Sequence, residues 1–268
     1  MKMFAVLLKV ARPTFALLLT FASAGSVAFA QDSPKPVEEE ASGGASRITY
    51  GTESDFSSGY AWRGLVISDR PVASPSLWIS AAGFTFIASN ILALGDTSEG
   101  TRPRVTDLTL TYEREWKKLK IEPSLEMYWY RDPLNIAASK SMEASFKFSY
   151  PVGPIRLFTA HSFDVWTQRG AYFGEGGIEY NRRFSKKSKL ESSLHAGWAS
   201  STFNDAYVGV SKPAFNVVAL ECSLTHYLTK YFYLSPHFEF STIVDHDLHA
   251  SLSRPNFFTF GLAIGVEF

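Results

Sequence analysis

Most features that mark a soluble enzyme or a helical membrane protein are missing from this sequence. Its 268 residues include one cysteine, Cys222. A single thiol excludes a disulfide framework within the chain and a cysteine-based metal site. Cys222 reads as a small apolar filler on a strand face. No stretch supplies the roughly 20 consecutive apolar residues that a membrane helix needs, and mean hydropathy is close to zero. An excess of either charge is missing too, with 26 acidic side chains against 26 Lys and Arg. No basic stripe interleaves with aromatics, so a nucleic-acid partner is set aside. No glycine-rich phosphate loop occurs. What is plentiful is aromatic: 22 Phe, 12 Tyr and 6 Trp. A chain that is polar on average yet rich in aromatics suits strands with one face in lipid and one in water.

The first residues read as a targeting segment. Lys2, Lys9 and Arg12 give a positive start, and Phe15 to Ala22 an apolar run too short to span a bilayer. Ala28-Phe29-Ala30 fits the small-x-small cleavage rule. Residues 1–30 are therefore expected to be a signal peptide. Residues 31–46, rich in Pro, Glu, Gly and Ser, cannot bury a core and read as a disordered periplasmic linker.

From residue 47 to 268 the pattern is all-β. In the last segment Phe258, Phe260, Leu262, Ile264, Val266 and Phe268 share one face, and Thr259, Gly261, Ala263, Gly265 and Glu267 the other. Strand periodicity places the first set outward and the second inward. The same alternation recurs at 119–130, 141–150 and 231–243. It predicts about twelve strands near 47–62, 71–81, 83–92, 105–116, 119–130, 141–150, 155–165, 171–182, 189–199, 214–226, 231–243 and 256–268. Alternation is poor at 71–92 and 155–165, and the phase shifts near Val217-Val218 as a bulge would shift it. Short connections at 81–83, 116–118, 151–154, 183–188 and 227–230 alternate with mostly longer polar ones at 63–70, 93–104, 131–140, 200–213 and 244–255. Turns at one end and loops at the other predict a transmembrane antiparallel up-and-down β-barrel in the outer membrane of a Gram-negative-type cell. Trp62, Trp129, Trp166 and Trp198 fall at the loop end and Trp116 at the turn end, as interfacial girdles would.

The stretch Ser54 to Asn90 carries Ser54-Asp55, Trp62-Arg63-Gly64 and, after a strand, Gly83-Phe84. It resembles the first strands of the TorF-type porin family of small outer-membrane barrels. The spacing departs from the family's around Ser57-Ser58, and the likeness covers about 40 residues. The resemblance implies a channel and little more. The closing Gly-Val-Glu-Phe also resembles the signal read by barrel-assembly machinery, which makes Phe268 the expected assembly residue.

The sequence holds polar clusters of catalytic type, but none is complete. Asp247 and His249 resemble the Asp-His pair of omptin-type proteases, but the separate acid pair is missing. His249-x-Ser251 resembles the pair of outer-membrane phospholipases but sits in a loop. His161 and Ser162 are strand neighbours and point to opposite faces. His246, Asp247 and His249 could hold a divalent cation, but the simpler reading is a solvated loop, and no metal or other cofactor is expected.

The inward face is predicted to be acidic. Glu113, Glu122, Glu126, Glu143, Glu175, Glu179, Glu191 and Glu239 fall on it, as do Glu221 and Glu267, against Arg63, Lys120, Lys147 and Arg156. Arg63, Lys147 and the first eight glutamates are the candidate pore-lining set. The leading expectation is a passive channel for ions or small hydrophilic solutes, cation-preferring, with outer-membrane lipids and the assembly machinery as its other partners. A rim hydrolase using 245–251, a charge-plugged barrel and a non-conducting adhesion or anchor barrel are the alternatives; oligomeric state is not legible. The N-terminal reading has its own test. Mass spectrometry of the membrane-inserted protein should find a chain starting at Gln31 or within a residue or two, and retention of Lys2 to Arg12 would sink it.

Overall fold

The computed structural model describes residues 48–98, 100, 102–131 and 140–268. The expected signal peptide and linker lie outside the described residues, as does most of the loop expected at 131–140. The elements run β1 (Thr49–Ser57), β2 (Tyr60–Trp62), β3 (Leu65–Ser68), β4 (Val72–Ala81), β5 (Phe84–Ala93), β6 (Arg104–Tyr112), β7 (Arg114–Trp116), β8 (Leu119–Arg131), β9 (Lys140–Val152), β10 (Ile155–Asp164), β11 (Tyr172–Arg183), β12 (Ser188–Ala199), α1 (Ser201–Val208), β13 (Ala214–Tyr227), β14 (Phe232–Ile243), α2 (His246–Ser251) and β15 (Asn256–Glu267).

These strands close into a twelve-stave antiparallel barrel. Each stave pairs with its chain neighbours, and β1 pairs with β15 to join the two ends. β6 and β7 both lie along β8 and form one stave, interrupted at Glu113. At the seam, Tyr50 and Phe268 exchange backbone hydrogen bonds of 3.2 and 2.9 Å. The Phe268 ring stacks on Tyr50 and Tyr231, with centroids 5.5 and 5.0 Å away. The expected assembly residue therefore also locks the seam.

The outer surface is the inverse of a soluble protein's. Every stave exposes at least one large apolar side chain, among them Phe56, Leu77, Leu110, Phe146, Leu194 and Phe260. An apolar surface continuous around a barrel is tolerated only where lipid covers it. Inward positions carry Ser74, Ser89, Lys120, Ser149, Glu239 and Thr259, all buried. The alternation read from β8, β9, β14 and β15 matches this division. The phase shift in β13 is a bulge: Val217 pairs with Gly197 and Phe215 with Trp198, leaving Asn216 extra. Asn216 and Val217 both turn inward and are buried.

One strand boundary is corrected. The strand expected at 47–62 ends at Ser57, and β2 and β3 leave the wall as a separate hairpin. Its tip, Arg63-Gly64, is left-handed at both residues, with φ of 53° and 80°. That suits a two-residue hairpin turn. The hairpin packs inside the loop end of the barrel, where Tyr60, Trp62 and Leu65 join a buried cluster with Val72, Ile91, Val105, Phe173, Val217 and Ile243. Trp62 is therefore part of an internal plug and not of the outer girdle; it is 7% exposed. The same packing explains the poor alternation of β4 and β5. Inward Val72 and Ile91 meet the hairpin, not water, so their apolar character breaks the two-residue rhythm.

The facing of β15 can be tested at adjacent positions. Ile264→Arg puts a charge into lipid and should cost about 2–4 kcal/mol near the midplane. Ala263 is 4% exposed and lines the acid-rich interior. Ala263→Arg should therefore unfold at higher denaturant than Ile264→Arg when the gel shift of the heat-modifiable barrel is followed. Equal losses would mean the register is wrong.

Candidate functional site: an acid-lined lumen under a folded-in hairpin

Between the hairpin and the turn end lies an internal cavity of about 270 Å³. Seven glutamates line it, Glu53, Glu126, Glu175, Glu179, Glu191, Glu221 and Glu239, against one arginine, Arg63, and one lysine, Lys147. His195, His237, Tyr128 and Cys222 complete the ionisable set. Strand alternation brings the glutamates, Lys147 and the histidines from seven staves, and Arg63 comes from the hairpin, to one space. Of the residues expected there, Arg63, Glu126, Lys147, Glu175, Glu179, Glu191 and Glu239 border the cavity.

Three others are spent on ion pairs. Glu143 is held by Arg63, with contacts of 3.0 and 2.5 Å. Glu122 and Glu113 both pair with Lys120, the latter at 3.1 Å near the turn end. Of the cavity acids, Glu179 is held by Lys147 at 2.6 Å, and Glu191 by Lys189, from outside the lining, at 2.6 Å. Tyr233, almost fully buried, donates to Glu53 at 2.8 Å, and the Tyr128 hydroxyl donates to Glu126. Glu175, Glu221 and Glu239 are left with neither a Lys or Arg nor a tyrosine partner among the described residues, although the His195 ring lies 4.0 Å from Glu221. Glu221 and Glu239 lie directly opposite each other on adjacent strands, an arrangement in which like charges repel.

Sequence reasoning left out several lumen residues. Glu53 is not among the expected residues, because the strand expected at 47–62 runs past the true end of β1 at Ser57 and carries no phase of its own. Asp55, Ser57 and His237 form a second polar cluster on β1 and β14. His237 Nε2 lies 3.1 Å from Asp55 and 3.2 Å from Ser57, and Ser57 also bonds Asp55. Asp55 and Ser57 share one ring nitrogen, whereas a serine triad needs the acid on the other. The other, Nδ1, faces the Ser235 carbonyl at 3.3 Å. Gly261 makes this cluster possible, since a Cβ there would sit 2.4 Å from Ser57 Oγ and 2.6 Å from the His237 ring.

The plug that roofs the cavity is built around Arg63. Its guanidinium lies 4.5 Å from the Trp62 ring centroid and 4.6 Å from that of Phe173, with Phe203 at 5.5 Å. Phe203 comes from α1, whose start is capped by Ser200 and whose end is Gly209, left-handed at φ 79°. Asn204 of the same helix exchanges hydrogen bonds of 2.6 and 3.4 Å with Asn216. The β13 bulge thus turns Asn216 inward to anchor α1. Gly64 is required twice: its φ is positive, and a Cβ would fall 2.7 Å from Val217 and 2.9 Å from Ile243.

The 245–251 segment, the alternative rim site, forms a cap and a clamp. Asp245 caps α2 by accepting from the Asp247 and Leu248 amides. Lys212 reaches Asp245 at 2.9 Å and Asp247 at 2.5 Å. Its hydrogen bonds hold both carboxyls below the usual range, with His246 adding to the effect on Asp247, and hold the ammonium above its own. A depressed carboxyl stabilises above its unfolded pKa and loses that contribution as pH falls through the folded one, so the clamp survives mild acid. The Ser251 hydroxyl donates to the Asp247 carbonyl at 2.8 Å. Among the described residues no group of three His, Cys, Asp or Glu could hold a metal ion. His161, on the outer face, contacts Tyr172 at 2.8 Å and Thr159 at 3.2 Å, on the opposite side of the wall from Ser162.

No family model matches the chain, and no curated protein matches it. Solved structures of outer-membrane barrels do. An outer-membrane channel from Pseudomonas putida F1 matches with a TM-score of 0.47 and 11% identity over 87% of this chain and 99% of that one. A KdgM porin, solved in complex with disordered oligogalacturonate, gives 0.45 and 12% over 82% and 98%. A NanC porin gives 0.45 and 11% over the same shares. The likeness is one of barrel architecture, and what the lumen does is argued below from its own residues.

The plug yields a direct expectation. Arg63→Ala leaves Glu143, whose side chain is 3% exposed, without its cation. Breaking such a buried pair costs about 3–5 kcal/mol. Arg63→Met combined with Glu143→Gln should recover much of that loss. Denaturant unfolding of the purified barrel measures both; equal stability of Arg63→Ala and the parent would mean that the pair does not hold the hairpin.

Proposed function

We propose that the protein is a narrow outer-membrane channel for ions or small hydrophilic solutes, and that it prefers cations. The observation that carries this reading is the cavity's composition: seven glutamates against one arginine and one lysine, inside a barrel whose outside is apolar. Carboxylates around a narrow aqueous space raise the local concentration of cations and exclude anions. The resemblance of Ser54–Asn90 to the TorF-type porins points the same way. In this reading the chain is exported by a signal peptide ending at Ala30 and inserted by machinery that reads Phe268. The hairpin at Arg63 narrows the loop-side path, so a small unitary conductance is expected. The rim-hydrolase reading loses support, because Asp245, Asp247 and Ser251 are engaged in capping and clamping their loop.

Planar bilayers test this. The purified barrel should conduct, and a salt gradient should give a reversal potential of cation sign. Glu126→Gln, Glu175→Gln and Glu239→Gln together should move that potential toward zero. Glu122→Gln alone should change it little, because Lys120 already compensates Glu122. Raising salt should weaken selectivity, since the Debye length falls from about 10 Å at 0.1 M to about 3 Å at 1 M. Anion selectivity, or a barrel that never conducts, would overturn the proposal.

A further inference from the structure

The lumen acids are not evenly compensated: among the described residues Glu175 and Glu239 form no ion pair, and Glu221 has only the His195 ring at 4.0 Å and the Ser193 hydroxyl at 3.3 Å, so the weakly compensated acids form an arc. Glu175 on β11 lies within electrostatic reach of Glu126 on β8 and of Glu221 on β13. Glu221 in turn pairs across the ladder with Glu239 on β14. Glu239 is 6% exposed, borders the cavity, and its Oε2 has no hydrogen-bond partner. A buried carboxylate oxygen left unsatisfied carries a desolvation cost. A cationic donor entering the cavity relieves it.

The form of that donor follows from the spacing. The acids do not converge as metal ligands do, and among the described residues none makes a group able to hold a metal ion. Neighbouring carboxylates on adjacent strands start about 5 Å apart at Cβ, and those four residues apart on one strand, such as Glu175 and Glu179, about 13 Å apart. Between them the cavity wall carries apolar patches, Phe158, Ala160, Phe173, Val217 and Ala219, beside the hydroxyls of Ser162, Ser193 and Ser223. Acidic points separated by apolar wall match a chain of methylenes interrupted by ammonium groups. Each ammonium can donate to a carboxylate while the methylenes lie on the apolar surface, as a lysine stem does.

We infer that the lumen holds a binding site for aliphatic polyamines, on the arc Glu175, Glu221 and Glu239, with Phe158 and Val217 as the apolar wall. The inference deepens the channel reading and rests on it for access to the cavity, since the polyamine is then a permeating or blocking cation. One substrate class is thereby distinguished from simple salts.

Isothermal titration of spermine into the full barrel in detergent, with magnesium chloride as a second probe, tests the site. Spermine current block in planar bilayers gives an independent readout. Spermine should bind more tightly than magnesium. Glu221→Gln with Glu239→Gln should weaken spermine binding and block at least ten-fold. Glu175→Gln alone, at a half-buried unpaired position, should weaken both several-fold, and it keeps the test usable if the double variant fails the heat-modifiability check for folding. Glu115→Gln, exposed at the turn end, should leave binding unchanged. Magnesium binding as tight as spermine, or spermine binding indifferent to these glutamates, would overturn the site even if the barrel conducts. A barrel silent in bilayers that still binds spermine through Glu175, Glu221 and Glu239 would keep the site and remove the channel.

Discussion

No backbone amide facing hydrocarbon can be left without a hydrogen bond, and this constraint shapes the rest of the molecule. A sheet in lipid must close. Here closure is made by β1 on β15, through seven paired positions from Gly51–Glu267 to Ser57–Gly261. Once the sheet is closed, the pleat sorts side chains without further instruction: one face meets lipid, and the other meets whatever fills the inside. Nothing in the closure requirement says what that filling is. In this barrel the two ends of the lumen are filled differently.

At the loop end the filling is protein. The β2–β3 hairpin turns inward and its arginine must then be paired, because an isolated buried charge is far costlier than a paired one. Glu143 supplies the pair, and three aromatic rings supply a polarisable surface for the guanidinium. The left-handed backbone of Arg63 costs roughly 1–2 kcal/mol, a cost the ion pair and ring contacts can offset. The arrangement is cooperative. Asn216 anchors α1, α1 carries Phe203, and Phe203 closes over Arg63. The bulge in β13 is what turns Asn216 inward, so a one-residue irregularity in the wall supports the plug.

This division explains which parts of the molecule were legible in the sequence. Strands β8, β9, β14 and β15 separate lipid from a polar interior along most of their length, so a two-residue rhythm appears and reads correctly. Strands β4 and β5 separate lipid from the hairpin, and Val72 and Ile91 are apolar on the inner face for that reason. Periodicity cannot distinguish an apolar residue facing lipid from one facing an internal plug. The hairpin had a signal that went unused: Tyr60-Ala61-Trp62 and Leu65-Val66-Ile67 flank Arg63-Gly64, two short apolar runs around a turn-forming pair. Its first arm instead extends the strand expected at 47–62, because both continue the same extended pattern, and its second arm falls in the loop expected at 63–70. The acidity of the interior was legible, since a charge on a half-lipid strand has only one side to face. Its pairing was not, because Lys147–Glu179 and Arg63–Glu143 join residues 32 and 80 positions apart.

Pairing changes what an acidic interior can do. A uniform ring of carboxylates would attract any cation equally and would be screened as a whole. Here Lys120, Lys147, Lys189 and Arg63 neutralise acids locally, Glu53 and Glu126 are held by tyrosine hydroxyls, and Glu175, Glu221 and Glu239 on β11, β13 and β14 are the cavity acids with neither a Lys or Arg nor a tyrosine partner among the described residues. Another part of the wall, on β4 and β5, offers hydroxyls from Ser74, Ser76, Ser80, Thr85 and Ser89. A cation inside therefore meets a gradient across the lumen as well as along it, through walls less polar than water, where charges act over longer range. A small ion samples that gradient at one point. An extended cation samples it at several, and its affinity grows with each carboxylate it can reach. In the proposed channel, selectivity between cations of equal charge density but different length would thus follow from where the lysines sit, not from how many glutamates there are.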